Sequence, residues 1–277
     1  MTLRSVRCFR ECTVDELSIR DERSFRHVEL YGDLKEVLRR SGYLFRILPE
    51  GPERWDRALL LNLTFWNAAG GDVLEGRRIA ADVVTHAAWH HLAALALGPE
   101  RGARPSMEAL FLGESIASAF DIYLVGRLLA QAPRSSFLET QVPALADAAG
   151  EAGLSKRAFQ RLLHDVAADP ERAFADLRSL LFDVTLALLR CKSADEAHAV
   201  LVRFEAHRFA PFLHHYELSN WVLYARAMAM AGRRPDRRVQ TVDITLRSGR
   251  MPLGWLASHW IAPALALSAK ESSGKAS

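Results

Sequence analysis

The chain has 277 residues and a mass of 30.9 kDa, with 49% hydrophobic and 25% charged side chains, the balance of a globular protein that buries a full core. That apolar fraction excludes a disordered chain, and no run of about 18 apolar residues free of polar interruption is present, so no membrane span is expected. Net charge is +3, from 36 basic and 33 acidic residues, too balanced to point to nucleic acid despite a pI near 8.9.

The opening stretch holds Cys8 and Cys12 at Cys-x3-Cys spacing, and Cys191 lies far downstream. An odd cysteine count with no second Cys or His pair at zinc-ribbon spacing predicts neither a disulfide framework nor a cysteine metal site. The first residues lack the apolar stretch of a secretory signal, so a reducing, cytoplasmic location is the expectation. VRCF (6–9) and FRHVELY (25–31) alternate as short strands do, which makes 1–32 a mixed segment with β character.

From Asp33 to residue 232 helical periodicity dominates. Helices are predicted at Asp33–Arg40 and Pro52–Trp66. Asp72, with Glu75 three residues on, has the pattern of a capping box, and the helix it opens runs to Leu97, before Gly98–Pro99. After a loop at 98–106, a long helix is predicted at Met107–Gln131, stopped by Pro133. Further helices are predicted at 137–149, 155–168, 171–191, 194–209 and 212–231, two of them announced by Asp169–Pro170 and Ser193. Arg238–Leu246 alternates as a strand, 251–267 is apolar without a clear period, and the last ten residues should fray. The expected fold is mainly α: a multi-helix domain at 33–232, with minor β segments in the flanking regions 1–32 and 233–277.

Candidate chemistry shows where ionisable groups fall in apolar helical rows. Asp82, His86 and His90 follow one another at i, i+4 and i+8, so they share one helix face. Two imidazoles there can bind one ion, and Asp82 is one turn from His86, placed to hold its ring N–H. His91 lies about 100° round the helix from His90. On the next helix, Glu114 and Asp121 interrupt a row that includes Leu110, Phe111, Ala117, Leu124, Val125 and Leu128. A buried carboxylate needs a cation, a metal or a proton. Either the two helices share a metal, or these carboxylates pair with arginines such as Arg77 and Arg127.

The string LFLGESIASAFDIYLV (110–125) resembles the glutamate-bearing helix of gluzincin metallopeptidases, above all those of the aminopeptidase N type. VVTHAAWHHLA (83–93) resembles their HExxH helix. The resemblance spans about 45 of 277 residues. It implies a zinc ion on His86, His90 and Glu114, with a fourth position open to water, and matches Asp121 to the acidic residue that closes the helix motif. Two departures stand out. Ala87 occupies the place of the glutamate that takes the proton from metal-bound water, a loss worth typically 10²–10⁴-fold in rate. The 23 residues between His90 and Glu114 also exceed the aminopeptidase spacer.

These residues admit three functions. One is a gluzincin-like zinc protein with lost or altered hydrolase chemistry, its base drawn from Glu108, His91 or the His214-His215-Tyr216-Glu217 cluster, with Tyr216 or Tyr224 as oxyanion donor. Its substrate would be a small molecule or peptide. The second is a helical non-haem iron enzyme, since two His and a carboxylate suit Fe(II), with Asp82 and Asp121 supporting a second iron. The third is a helical binding or scaffold protein without metal, whose partner is another protein. Asp183, within LLFDVTLALL, is a further charge in an apolar setting, and the arginines at 233, 234, 237 and 238 form a basic turn. No glycine-rich phosphate loop and no GxSxG element occurs, so nucleotide and serine-hydrolase chemistry are not expected.

Overall fold

The structure, a computed structural model, describes residues 9–49, 71–98, 105–227 and 235–266. Cys8 and the predicted helix Pro52–Trp66 lie outside these residues. The described chain is mainly α, as predicted, with short strands confined to its N-terminal part.

Two small sheets form the N-terminal part. Strand β1 (Arg10–Cys12) pairs antiparallel with β3 (Phe45–Ile47), and β3 pairs parallel with β4 (Val73–Leu74). Strand β2 (Ser18–Arg20) pairs parallel with β5 (Arg78–Ala80). Between them stand helices α1 (Glu22–Phe25) and α2 (Tyr31–Arg40), so FRHVELY is not a strand. Its apolar residues serve helical spacing instead, with Tyr31, Leu34, Val37 and Leu38 buried on one face of α2. Of VRCF only Phe9 is described, and it precedes β1.

The predicted helix start at Asp72 is also corrected. Residues 73–80 form β4, a turn and β5, and helix α3 begins at Ala81 and runs to Leu97. Long-range pairing decides this outcome. The backbone of β4 is satisfied by β3 and that of β5 by β2, while the Asp72 side chain meets Tyr43 rather than capping its own chain.

Helix α4 (Met107–Gln131) is the centre of the molecule and has the predicted bounds. Ser106 caps it by accepting the Ala109 N–H. Phe111, Leu112, Ile116, Phe120, Leu124 and Leu128 are all buried, so α4 is apolar nearly all round, as a helix must be to occupy a core. It is long and apolar enough to cross a membrane by composition, yet 83% of its most apolar window is buried inside the fold.

Around α4 pack α3, α5 (Ser136–Glu151), α6 (Lys156–Ala168) and α7 (Pro170–Arg190), with α3 and α7 making the broadest contacts. The start signals at Asp169–Pro170 and Ser193 hold: Asp169 caps α7, and Ser193 caps α8 (Ala194–Phe204). Helix α8 ends at Phe204, earlier than predicted. The helix predicted at 212–231 starts later, at Leu218, and α9 is described over Leu218–Ala227; residues 228–231 lie outside the described residues.

The strand expected at Arg238–Leu246 is helix α10 (Arg237–Ser248). Asp236 caps it through the Arg238 N–H, and Val239 and Leu246, two turns apart, are its buried pair. Buried Arg178 on α7 reaches Asp243 at 2.5 Å, and Arg247 joins Asp243 to Asp183 at 2.7–3.0 Å. This network fixes the helix and gives Asp183 a structural partner. The apolar 251–267 segment folds as α11 (Pro252–Leu256), continued by a π turn at Ala257–Ile261. One continuous apolar cluster runs from Cys12 to Ile261.

Helix α4 approaches the α6–α7 corner closely at Gly126. A Cβ there would lie 2.6 Å from the Val166 carbonyl oxygen and 2.9 Å from Pro170 Cγ. Gly126→Ala is therefore expected to destabilise the protein by about 1–3 kcal/mol, the usual range for overpacking. A lowered urea midpoint measures it, and an unchanged midpoint contradicts this packing.

Candidate metal centre

Helices α3 and α4 run antiparallel at the site. Moving forward from His86 to His90 on α3 matches moving back from Asp121 to Glu114 on α4. Their approach is set by small residues: a Cβ on Gly113 would touch the Ala93 Cβ at 3.0 Å. Close approach at that point brings Glu114 against the histidine face of α3.

Three groups converge. One ligand atom each from His86, His90 and Glu114 lies within 4.8 Å of the others, a cluster that could hold a metal ion. His90 Nε2 is 3.2 Å from Glu114 Oε1. That is about the spacing of two ligands on a tetrahedral ion with bonds of ~2.0–2.1 Å. Although close, the contact is not a formed hydrogen bond, and His90 Nε2 is buried without a hydrogen-bond partner among the described residues. The two imidazole rings stand edge to face, with centroids 4.5 Å apart.

The site lines a cavity of about 270 Å³ that also carries Asp72, Asp82 and Asp121. Four carboxylates and two imidazoles thus face one space, with no Lys or Arg among the described lining. The arginines considered as partners are engaged elsewhere: Arg77 sits 3.7 Å from Glu16, and Arg127 3.0 Å from Glu29. Among the described residues, a protein-only charge balance for Glu114 and Asp121 is therefore reduced to the histidines.

Electrostatics within the cavity follow from burial and this crowding. Burial drives His86 down to about 4, and the neighbouring His90 cation adds to the effect. Burial opposes charge on His90 as well, but Glu114 and Asp72 outweigh it and hold the imidazolium well above the usual range. Glu114 and Asp72 resist burial in turn, and His90 keeps both below ordinary carboxylate values. Asp121 goes the other way: burial, reinforced by Asp82, holds its proton well above the usual range. Burial also raises Asp82, against the pull of its own and Val83's N–H at the start of α3.

Among the described residues, the carboxylate paired with His86 is that of Asp121, 3.9 Å from Nδ1. Asp82 lines the cavity but makes no ion pair with His86 among the described residues, and Asp121 stands beside the ring at a distance longer than a hydrogen bond. Asp72 was missed: its carboxylate lies 3.8 Å from His90 Nδ1, on the opposite side of the ring from Glu114. The only signal for Asp72 in the sequence was a charge beside Gly71, which reads equally well as a helix cap.

None of the residues predicted as base or oxyanion donor, Glu108, His91, the 214–217 cluster and Tyr224, is among the described lining of the cavity. Glu108 lies nearly two helical turns before Glu114 and accepts the Asp236 N–H at 2.8 Å, tying the starts of α4 and α10 together. His91 turns away from His90, its ring edge-on to Tyr43 at 5.2 Å, and burial lowers its pKa. Tyr216 packs against the core, and burial together with the Asp121 charge pushes its phenol up.

Because the folded-state pKa of His86 is about 4 against an ordinary 6.5, the unfolded chain binds more protons between those values. The contribution of the neutral ring is present above pH 6.5 and lost as pH falls toward 4. In metal-free protein, urea midpoints should fall less steeply with acidification in His86→Gln than in wild type, and equal slopes contradict a neutral, partly exposed ring. Comparison with family models, curated proteins and solved structures found no match to this chain.

Proposed function

We propose that this protein binds one divalent metal ion, zinc, through His86, His90 and Glu114, and that it is a gluzincin-like metalloprotein whose hydrolytic machinery is altered. The observation that supports this most is the convergence of three donors in a cavity with surplus carboxylates and no described Lys or Arg to balance them. A His2Glu set with a cavity at its open side is the donor arrangement of catalytic rather than closed structural zinc sites. When bound, such an ion lowers the pKa of a coordinated water to about 7 or polarises a carbonyl oxygen.

The chain's own groups then set what chemistry is left. Ala87 is buried and presents only a methyl group where gluzincins carry their base. Of the cavity carboxylates that are not ligands, Asp72 is engaged with His90, while Asp82 and Asp121 are the groups able to accept or return a proton there. At about 270 Å³ the cavity falls just below the usual range for drug-sized ligands, which suits a small molecule better than a peptide. Two histidines and one carboxylate with open positions also suit non-haem Fe(II), which makes iron the second choice of metal.

Elemental analysis of the purified protein tests this. About one zinc per chain is expected, lost in His86→Ala/His90→Ala and in Glu114→Ala. Iron in place of zinc moves the assignment to oxygen chemistry. No metal, even after reconstitution, overturns the proposal. Zinc at about 100 times its Kd should also add about 2.7 kcal/mol of stability that a chelator removes.

A further inference from the structure

His90 is held between two carboxylates, Glu114 facing Nε2 at 3.2 Å and Asp72 facing Nδ1 at 3.8 Å. A neutral imidazole has one N–H, so a carboxylate on the Nδ1 side places the N–H there and leaves the Nε2 lone pair for a metal. At 3.8 Å the contact is electrostatic rather than a formed hydrogen bond. Its influence is on tautomer and ring orientation, and it depends on where the Asp72 carboxylate is held.

Tyr43 holds it. The Tyr43 hydroxyl donates to Asp72 Oδ2 at 3.2 Å and accepts the Asp72 backbone N–H at 3.3 Å, gripping the residue by side chain and main chain at once. The backbone around them fixes the pair further. Gly71 has φ +71°, and a Cβ there would lie 2.2 Å from the Leu44 carbonyl oxygen, so only glycine lets the two segments pass this closely. Arg46 N–H then bonds the Asp72 carbonyl at 2.9 Å. On its other side the Tyr43 ring is wedged edge-on between Phe45 and His91, which ties it to both β3 and α3.

We propose that Tyr43 and Asp72 are positioning residues for the metal ligand His90, with Tyr43 acting through Asp72 to present Nε2 to the ion. The inference rests on the metal assignment above. It adds that the small sheet, and not only the helix pair, sets the affinity of the site. Partners of this kind that orient metal-ligating histidines typically change metal affinity by 10–100-fold when removed.

The test is zinc affinity of the full chain, measured by competition with a chromophoric chelator, together with the visible spectrum of the cobalt-loaded protein. Asp72→Ala is expected to weaken zinc by about 10–100-fold. Tyr43→Phe, which keeps the ring packing, should weaken it about threefold or more and shift the cobalt bands, with the melting temperature of the metal-free form nearly unchanged. The double variant should be no weaker than Asp72→Ala alone, because Tyr43 works through Asp72. Wild-type affinity and spectrum in Tyr43→Phe, or losses that simply add, overturn the pairing while leaving the metal assignment standing. If wild type binds neither zinc nor cobalt, both fall. Should Asp72→Ala not fold, Tyr43→Phe decides by affinity and spectrum.

Discussion

The antiparallel contact of α3 and α4 is the constraint on which the rest of the site depends. Gly113 against Ala93 allows the helices to close until a Cβ would touch, and that closure fixes the axial register. The register in turn faces His90 with Glu114 and His86 with Asp121. An isolated carboxylate in an apolar helix face is costly to bury. Here the two on α4 meet the two imidazoles on α3, in a small, charged cavity that stays partly open to solvent. The apolar groups of α4 point to α7 and the core, so burial of the helix supplies the driving force that holds the polar groups together.

Two separate parts of the chain build the site. Helices α3 and α4 provide the three donors, while the strand approach at Gly71–Asp72 and Tyr43 supplies the carboxylate behind His90. Such division is common where a ligand ring must be oriented as well as present. It also makes the N-terminal sheet more than a cover: it is packed into the same apolar cluster as the helices, so its position over the cavity is set by the core.

Much of this was legible from spacing. The i, i+4 histidines and the two acids seven residues apart identified the facing surfaces of two helices, and the bounds of α4 followed from the loop at 98–106 and Pro133. What escaped depended on contacts distant in sequence. Asp72 followed by Glu75 has the local form of a helix start, and only pairing with β3 and the Tyr43 hydroxyl make it something else. The β-branched residues of 239–245 alternate like a strand, yet the Asp236 cap and the Arg178–Asp243–Arg247 network commit them to α10. Asp82 and Asp121 both occupy acceptable rows. Which of them faces His86 depends on how the helices cross, a quantity that no single helix pattern encodes.

Helix α4 also poses a partitioning question during synthesis, before any partner helix exists to cover it. By length and composition it competes for a lipid environment. Asp121 lies only two residues from its midpoint, where an aspartate costs about 2.5–3.5 kcal/mol to place at a bilayer centre. Glu114 brings a second acid into the same segment. The acids that face the histidines in the folded protein therefore also bias the nascent helix against insertion and toward its own core.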